Sequence, residues 1–477
     1  MLPIEKFADT EVKPLLREVD GPIDSFKVEE EFKEAVLSQA VEKGNLEGVS
    51  FQACPPLGNL EQKKVRQESL RAWRIWQNLN PSNRPYTPEE IALIGYASNV
   101  IWQATLVEAS RRTFLAQKGQ SSDDPVFCEA MVKRSIEELY PHPELEIAAE
   151  SLSLFIPKVE VLAQSTDGRL QFLAEELLNK YPFIKEIPQR APEVLDPRKE
   201  AALKEILKSK YQAAFNQLKE EFTEINNQIL PQVCTRFLEL AGLADTGWVI
   251  EESKDRNGFY TRSKDRVIEC GKRSKEITWP AFEKIFGVHE VGVHATRAER
   301  GYQAGSEPLA LGLGNHQDAE EGVAILFEKT WGGTTSKPMI DRGDYRYLTG
   351  AYASGVIDGR PHDKDETFQF ITRLNQLSLL AAKCQKGEAA DIEEVTRSTR
   401  LSMFEHVYRA FRGMPEGIVL TKDLLYKKGK VKLIRYINES NLSMEELYDF
   451  LTSGKFDPTN KEHLKLREAI LHGKATA

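Results

Sequence analysis

No apolar run in this chain approaches the roughly 20 residues that a membrane span requires. The longest are pieces such as Leu152 to Ile156 and Leu379 to Ala382. The opening stretch, MLPIEKFADTEVK, has no basic start followed by an apolar segment, so no secretion signal is expected. Cysteine is scarce: Cys54, Cys128, Cys234, Cys270 and Cys384 are an odd, scattered set of five with no Cys-x-x-Cys pair. That pattern argues against a disulfide framework or a zinc-thiolate site and for buried thiols. The Asn438-Glu-Ser and Asn441-Leu-Ser sequons carry no meaning without a secretory route. Net positive charge is also lacking. Lys and Arg number 64 against 73 Asp and Glu, a formal charge of -9, which speaks against a general nucleic-acid or anionic-membrane partner. Internal repeats and low-complexity tracts are absent from the sequence.

What is present is the composition of a soluble globular protein, 41% hydrophobic and 29% charged over 477 residues, with length for two or three domains. A cytoplasmic location is expected. From Glu30 to about Lys185 the pattern is helical, and Thr87-Pro-Glu-Glu is a capping box that opens a periodic segment reaching Phe114. Prolines 182, 188, 192 and 197 mark a linker, which puts a boundary near residue 190 between a helical N-terminal region (1–190) and the remainder (191–477). Arg198 to about Leu240 reads as one long helix. Two β-type runs follow, Trp248 to Glu252 and Arg266 to Cys270, separated by turn signals at 255–258 and 263–265. A helix capped near Thr278 then carries Phe282, Ile285, Phe286, His289, Val293 and Thr296 along one stripe, which predicts a buried His289 and an end at Gly301. A loop over 307–315 leads to a helix from about Asp318, the expected N-cap, to Lys329. The C-terminal third is mostly helical and includes a second capping box, Ser443-Met-Glu-Glu.

The chemistry lies in Val288-His-Glu-Val-Gly-Val-His294. It looks like the metallopeptidase motif His-Glu-x-x-His with one residue too many. On an α-helix, residues i and i+5 lie about 140° apart, so two such histidines cannot face one ion. A π-type distortion would return them to one side, and Gly292 is a plausible place for it. The six-residue spacing therefore predicts a helix defect rather than refuting a site. A catalytic zinc takes three protein ligands and keeps one position open. His289 and His294 supply two, and Glu321, 27 residues on within Ala319-Glu-Glu-Gly-Val-Ala, is the choice for the third, with His316 as its rival. Glu320 would orient a histidine. Glu290 would be the general base toward the water that zinc activates.

Four blocks in order, HEVGVHATR, PLALGLG, AEEGVA and RGMPEGIVLTKDLLYKKG, resemble the microtubule-associated tyrosine carboxypeptidase family, including its bacterial relatives with a Gln-Glu-Gly-Leu-Ala motif, over about residues 245 to 440. The resemblance implies zinc on His289, His294 and Glu321 with Glu290 catalytic. Val293 and Val323 depart from the usual threonine and leucine of those blocks. The paired glutamates also resemble dipeptidyl peptidase III, whose second glutamate is the ligand, which favours Glu321 over Glu320. Within the matching blocks, Arg297, Arg412 and Lys422 suggest a receptor for a peptide's terminal carboxylate; pairing with local acids such as Glu299, Glu416 or Asp423 is the alternative. Tyr345, Tyr347, Tyr352 and Tyr426 are candidates for a phenol at the oxyanion, and Tyr426 lies inside a block. The strand 266–270 would serve as a substrate-pairing edge or as an ordinary interior strand.

The expectation is thus an α+β, mainly helical protein: a zincin-like metallopeptidase domain with a small β-sheet, its metal core at about 245–330, and a helical N-terminal region. The expected activity is that of a carboxypeptidase with one Zn2+ per chain, acting near a peptide or protein C-terminus, without nucleic-acid or membrane partners. The alternatives are a zinc endopeptidase or amidase, or a non-catalytic zinc-binding interaction protein.

Overall fold

The computed structural model describes residues 30–46, 86–253, 258–272, 276–389 and 391–475. The fold is mainly helical with one small sheet, as expected for the α+β class. Among the described residues no helix is long and apolar enough to cross a membrane. Cys128, Cys234 and Cys270 are buried and Cys384 is half-buried, with no disulfide formed between described residues; Cys54 lies outside the described residues.

On the N-terminal side run α1 (Glu30–Lys43), α2 (Pro88–Gln117), α3 (Pro125–Leu139), α4 (Leu145–Ser153), α5 (Ile156–Ala163), α6 (Gly168–Lys180) and the short α7 (Phe183–Glu186). The Thr87 capping box starts α2 as its sequence dictates, with hydroxyl and Glu90 carboxylate each closing on the other's backbone N–H. The long helix expected over 198–240 is two, α8 (Pro197–Glu221) and α9 (Leu230–Leu240). The break has a local cause: the Asn226 side chain accepts from the backbone N–H groups of Gln228 and Ile229, a turn that competes with helix, and Pro231 favours a fresh first turn.

The sheet holds one strand more than the sequence suggested. β1 (Val249–Ser253), β2 (Phe259–Arg262) and β3 (Val267–Gly271) assemble in the order β1-β3-β2, with β3 parallel to β1 and antiparallel to β2. Of the two readings left open for the strand at 266–270, the interior one holds: β3 is the central strand and mostly buried, and β2 and β1 lie at the edges.

After α10 (Trp279–Phe282) the chain winds as a π-helix over Glu283–Ala295 and continues as α11 (Thr296–Gln303). This helix runs past Gly301. A Cβ there would lie 2.4 Å from the backbone N of Ala310, so the glycine permits a close crossing with α12 (Glu307–Leu311) instead of ending the helix. Next come α13 (Gln317–Trp331), capped from His316 rather than Asp318, then α14 (Arg342–Ala353), α15 (Lys364–Gln385), α16 (Ile392–Phe411), α17 (Leu424–Glu439), α18 (Met444–Leu451) and α19 (Lys461–Ala475).

Two large cores organise these elements. One joins α4 to α7 with α14 to α16, so helices on both sides of residue 190 share apolar contacts. The other packs α8 and α9, the sheet, the π-helix and α13 against α17 and α18. Within it, Phe215 stacks on Phe237 with ring centroids 4.8 Å apart and Phe282 on Phe286 at 5.1 Å. Helices α13 and α17 cross in near backbone contact at Gly322 and Gly429, where a Cβ on Gly429 would fall 1.8 Å from the Asp318 carbonyl oxygen.

Candidate metal centre

Winding over Glu283–Ala295 follows i to i+5 hydrogen bonds, which place residue 294 above residue 289. The distortion expected at Gly292 thus extends over thirteen residues. It also re-sorts the expected stripe. Phe282, Phe286 and Val293 are buried in the core, whereas Ile285 and His289 line a cavity of about 760 Å³ together with His294. His289 faces this cavity and not the core, because a π-turn carries more residues than the α-turn assumed in reading the sequence.

Helix α13 delivers Glu321 to the same place. Its Oε2 is 3.7 Å from His289 Nε2 and its Oε1 is 3.8 Å from His294 Nε2, and donor atoms of the three residues all lie within 4.8 Å of one another. Ligands of a tetrahedral zinc with bonds near 2.0–2.1 Å sit about 3.4 Å apart, so each histidine–glutamate distance is within a few tenths of an ångström of coordination spacing. The donor set, two imidazoles and a carboxylate, suits zinc.

What surrounds the ligands fits the same group. Glu320 Oε1 is 2.8 Å from His294 Nδ1, and Glu328 Oε2 is 3.2 Å from His289 Nδ1. With each Nδ1 bonded to a carboxylate, both Nε2 atoms are free to turn toward Glu321. Burial alone would raise the Glu320 pKa, but Arg297, Lys455 and His294 hold it well below the usual range. Burial also opposes charge on His289, yet the Glu328 hydrogen bond and the charges of Glu290, Glu321 and Glu328 lift it to about 9. That local field favours a cation.

Glu290 is buried beside the triad and accepts a 2.7 Å hydrogen bond from the Thr261 hydroxyl of β2. The phenol of Tyr426 lies in the cavity, raised above its ordinary pKa first by the charge of Glu321 and then by burial and Asp423. Arg346 sits over its ring, 4.8 Å from the centroid. The other three tyrosines have separate work: Tyr345 donates to Asn375, Tyr347 bonds Glu144, and Tyr352 stacks on His362.

The three basic residues singled out in the sequence divide. Lys422 lines the cavity. Arg297 is fully buried and directs its guanidinium to Glu320, to the Gly454 carbonyl at 2.8 Å and to the Phe456 carbonyl at 2.6 Å. Those contacts leave no free face for a substrate carboxylate, so Arg297 anchors Glu320 instead. Arg412 does not line the cavity; it stands near Asp423, whose oxygens are taken by Arg409, and its buried Nε has no hydrogen-bond partner among the described residues. His316, the rival ligand, is outside the cluster. Its Nδ1 is 2.7 Å from the Leu313 carbonyl, and burial presses its pKa down to about 4.

Sequence reasoning missed Glu328, Thr261, Lys455, Arg342 and Arg346. Glu328 was within reach, being seven residues after Glu321 on one helix face. Thr261, Lys455 and the two arginines arrive from remote elements and left no spacing signal.

Comparison of the chain with known protein families, with curated proteins and with solved structures returned no match.

Proposed function

We propose that the protein is a zinc-dependent peptidase that cleaves near the C-terminus of a peptide or protein. One observation carries the reading: a two-histidine, one-carboxylate cluster with Glu290 beside it, opening into a cavity bordered by an edge strand. The likeness of four sequence blocks to the tyrosine carboxypeptidase family points the same way.

Zinc bound at His289, His294 and Glu321 would lower the pKa of a water to about 7 and polarise the scissile carbonyl. The protein's own groups account for the rest. β2 presents an edge with which an extended peptide can pair. Glu290, held by Thr261, takes a proton from the attacking water as its oxygen bonds the carbonyl carbon, then returns that proton to the nitrogen as the C–N bond breaks. Tyr426 is placed to donate to the oxygen that becomes charged. A structural metal domain would have no use for Glu290.

The basic side chains at the Tyr426 end of the cavity support exo-cleavage. Lys422, Arg342 and Arg346 all line it, and the Nε of Arg346 is only loosely paired, 3.9 Å from an Asp423 oxygen. A guanidinium fork suits a terminal carboxylate. The test compares peptides with free and amidated C-termini against Arg346→Ala and Lys422→Ala. Each variant should raise KM for free-acid peptides about tenfold and leave amidated ones little changed. Equal cleavage of both peptide forms by the wild type would replace this reading with an endopeptidase or amidase.

A further inference from the structure

The cavity has a second wall, supplied by the N-terminal helices. Tyr96, Asn99, Val100 and Gln103 of α2 line it at spacing i, i+3, i+4 and i+7, a single stripe of that helix, and Tyr140 at the end of α3 joins them. Residues of β2 and the π-helix line the same cavity.

Helix α2 is fixed in this position at two points. Gly95 meets the loop before α13 so closely that a Cβ on Gly314 would lie 3.2 Å from the Gly95 Cα, and Ala92 packs with Leu309, Leu313 and Phe456. Farther along, Leu106 and Val107 pack with Ile418, Leu420 and Leu425 beside Tyr426. The wall is therefore tied both to the helix carrying Glu321 and to the helix carrying Tyr426.

Its polar groups are amides. Asn99 and Gln103 are half-buried, face the cavity, and make no side-chain hydrogen bond with another described residue. Each amide offers donors and an acceptor, the complement of a peptide bond. Four residues of α-helix rise about 6 Å. Two residues of extended chain advance about 6.7 Å, so the two amides match alternate peptide units of a strand lying along α2.

We propose that Asn99 and Gln103 bind the main chain of the substrate peptide in this cavity. The N-terminal helices then form part of the cleft, and they hold a substrate by its backbone irrespective of side chains. This rests on the peptidase reading above and deepens it.

The test uses the full chain loaded with zinc. Glu290→Gln and the triple variant Asn99→Ala/Gln103→Ala/Glu290→Gln are each incubated with a library of ten-residue peptides differing in their last residue. Peptides retained on ultrafiltration are measured by mass spectrometry, beside zinc content and thermal midpoint. Both added substitutions place alanine in a helix, which favours folding. The expected result is about tenfold weaker retention in the triple variant, the loss of two neutral hydrogen bonds, uniform across terminal residues and with zinc unchanged. Equal retention overturns the inference, as does a loss confined to some terminal residues or an absence of retained peptide in Glu290→Gln. Turnover of the same library by the wild type reports the peptidase reading independently.

Discussion

Glu320 illustrates how much one side chain can hold. It orients His294 while pairing with Arg297, which has no exposed surface, and with Lys455. Glu320→Gln would leave two buried cations without their counter-charge. Breaking a buried pair from one side costs about 3–5 kcal/mol, and losing a group that orients a ligand weakens metal binding about 10–100-fold. Urea unfolding and a zinc competition titration should both register the change; an unaltered zinc affinity would mean that Glu320 does not position His294. A second residue sets the acid limit. His406 stacks on Tyr345, its buried Nδ1 lacks a partner among the described residues, and burial, helped by the charge of Arg346, presses its pKa from 6.5 to about 4. Below pH 6.5 the unfolded chain gains a proton that the folded chain refuses until about pH 4, so this residue removes stability as pH falls through that window. His406→Phe, which keeps the ring stack, should reduce the drop in thermal stability between pH 7 and pH 5 by on the order of 1 kcal/mol. An identical drop in both proteins would contradict the assignment.

At the scale of elements, the site depends on how α13 crosses α17. Gly322 and Gly429 allow the two backbones to touch, and Glu321, next to Gly322, and Tyr426, three residues before Gly429, both line the cavity. Gly429→Ala must force the helices apart. Overpacking of this kind costs about 1–3 kcal/mol, and here it would also displace Glu321 from the histidines. The expected outcome is a lower melting temperature together with weaker zinc binding. Gly168→Ala, where nothing lies within 4 Å of the added Cβ, serves as the control and should change neither. Legibility differed from element to element for reasons of the same local kind. The capping boxes at Thr87 and Ser443 were readable because they are closed within four residues, and the structure shows both. Strand β2 was missed because FYTR is four residues long and lies between turn signals. Helices α8 and α9 were merged because helical periodicity extends across an Asn-centred turn that only its side-chain hydrogen bonds reveal.

For the whole molecule, the sequence picked out residues that the structure brings together better than it picked out their surroundings. Two histidines and a glutamate pair signalled their own geometry, and the odd spacing of the histidines pointed to the π-winding that the structure contains. The neighbours of those residues depend on tertiary contact. Thr261 reaches Glu290 across 29 positions and Lys455 reaches Glu320 across 135, and nothing in a single chain marks such pairs. The same limit explains Arg297, which looks like a substrate residue one turn after His294 and proves to be a buried anchor. It also explains why α2, remote in sequence, gave no sign that it lines the same cavity as β2.

The most direct test is elemental mass spectrometry of the purified chain and of His294→Ala, Glu321→Ala and Glu290→Gln, alongside digestion of a peptide library with diverse C-termini. The account predicts about one zinc per chain in the wild type and in Glu290→Gln, loss of zinc in the other two, and release of C-terminal residues by the wild type alone. Zinc retained by Glu321→Ala, or turnover by Glu290→Gln, would contradict it.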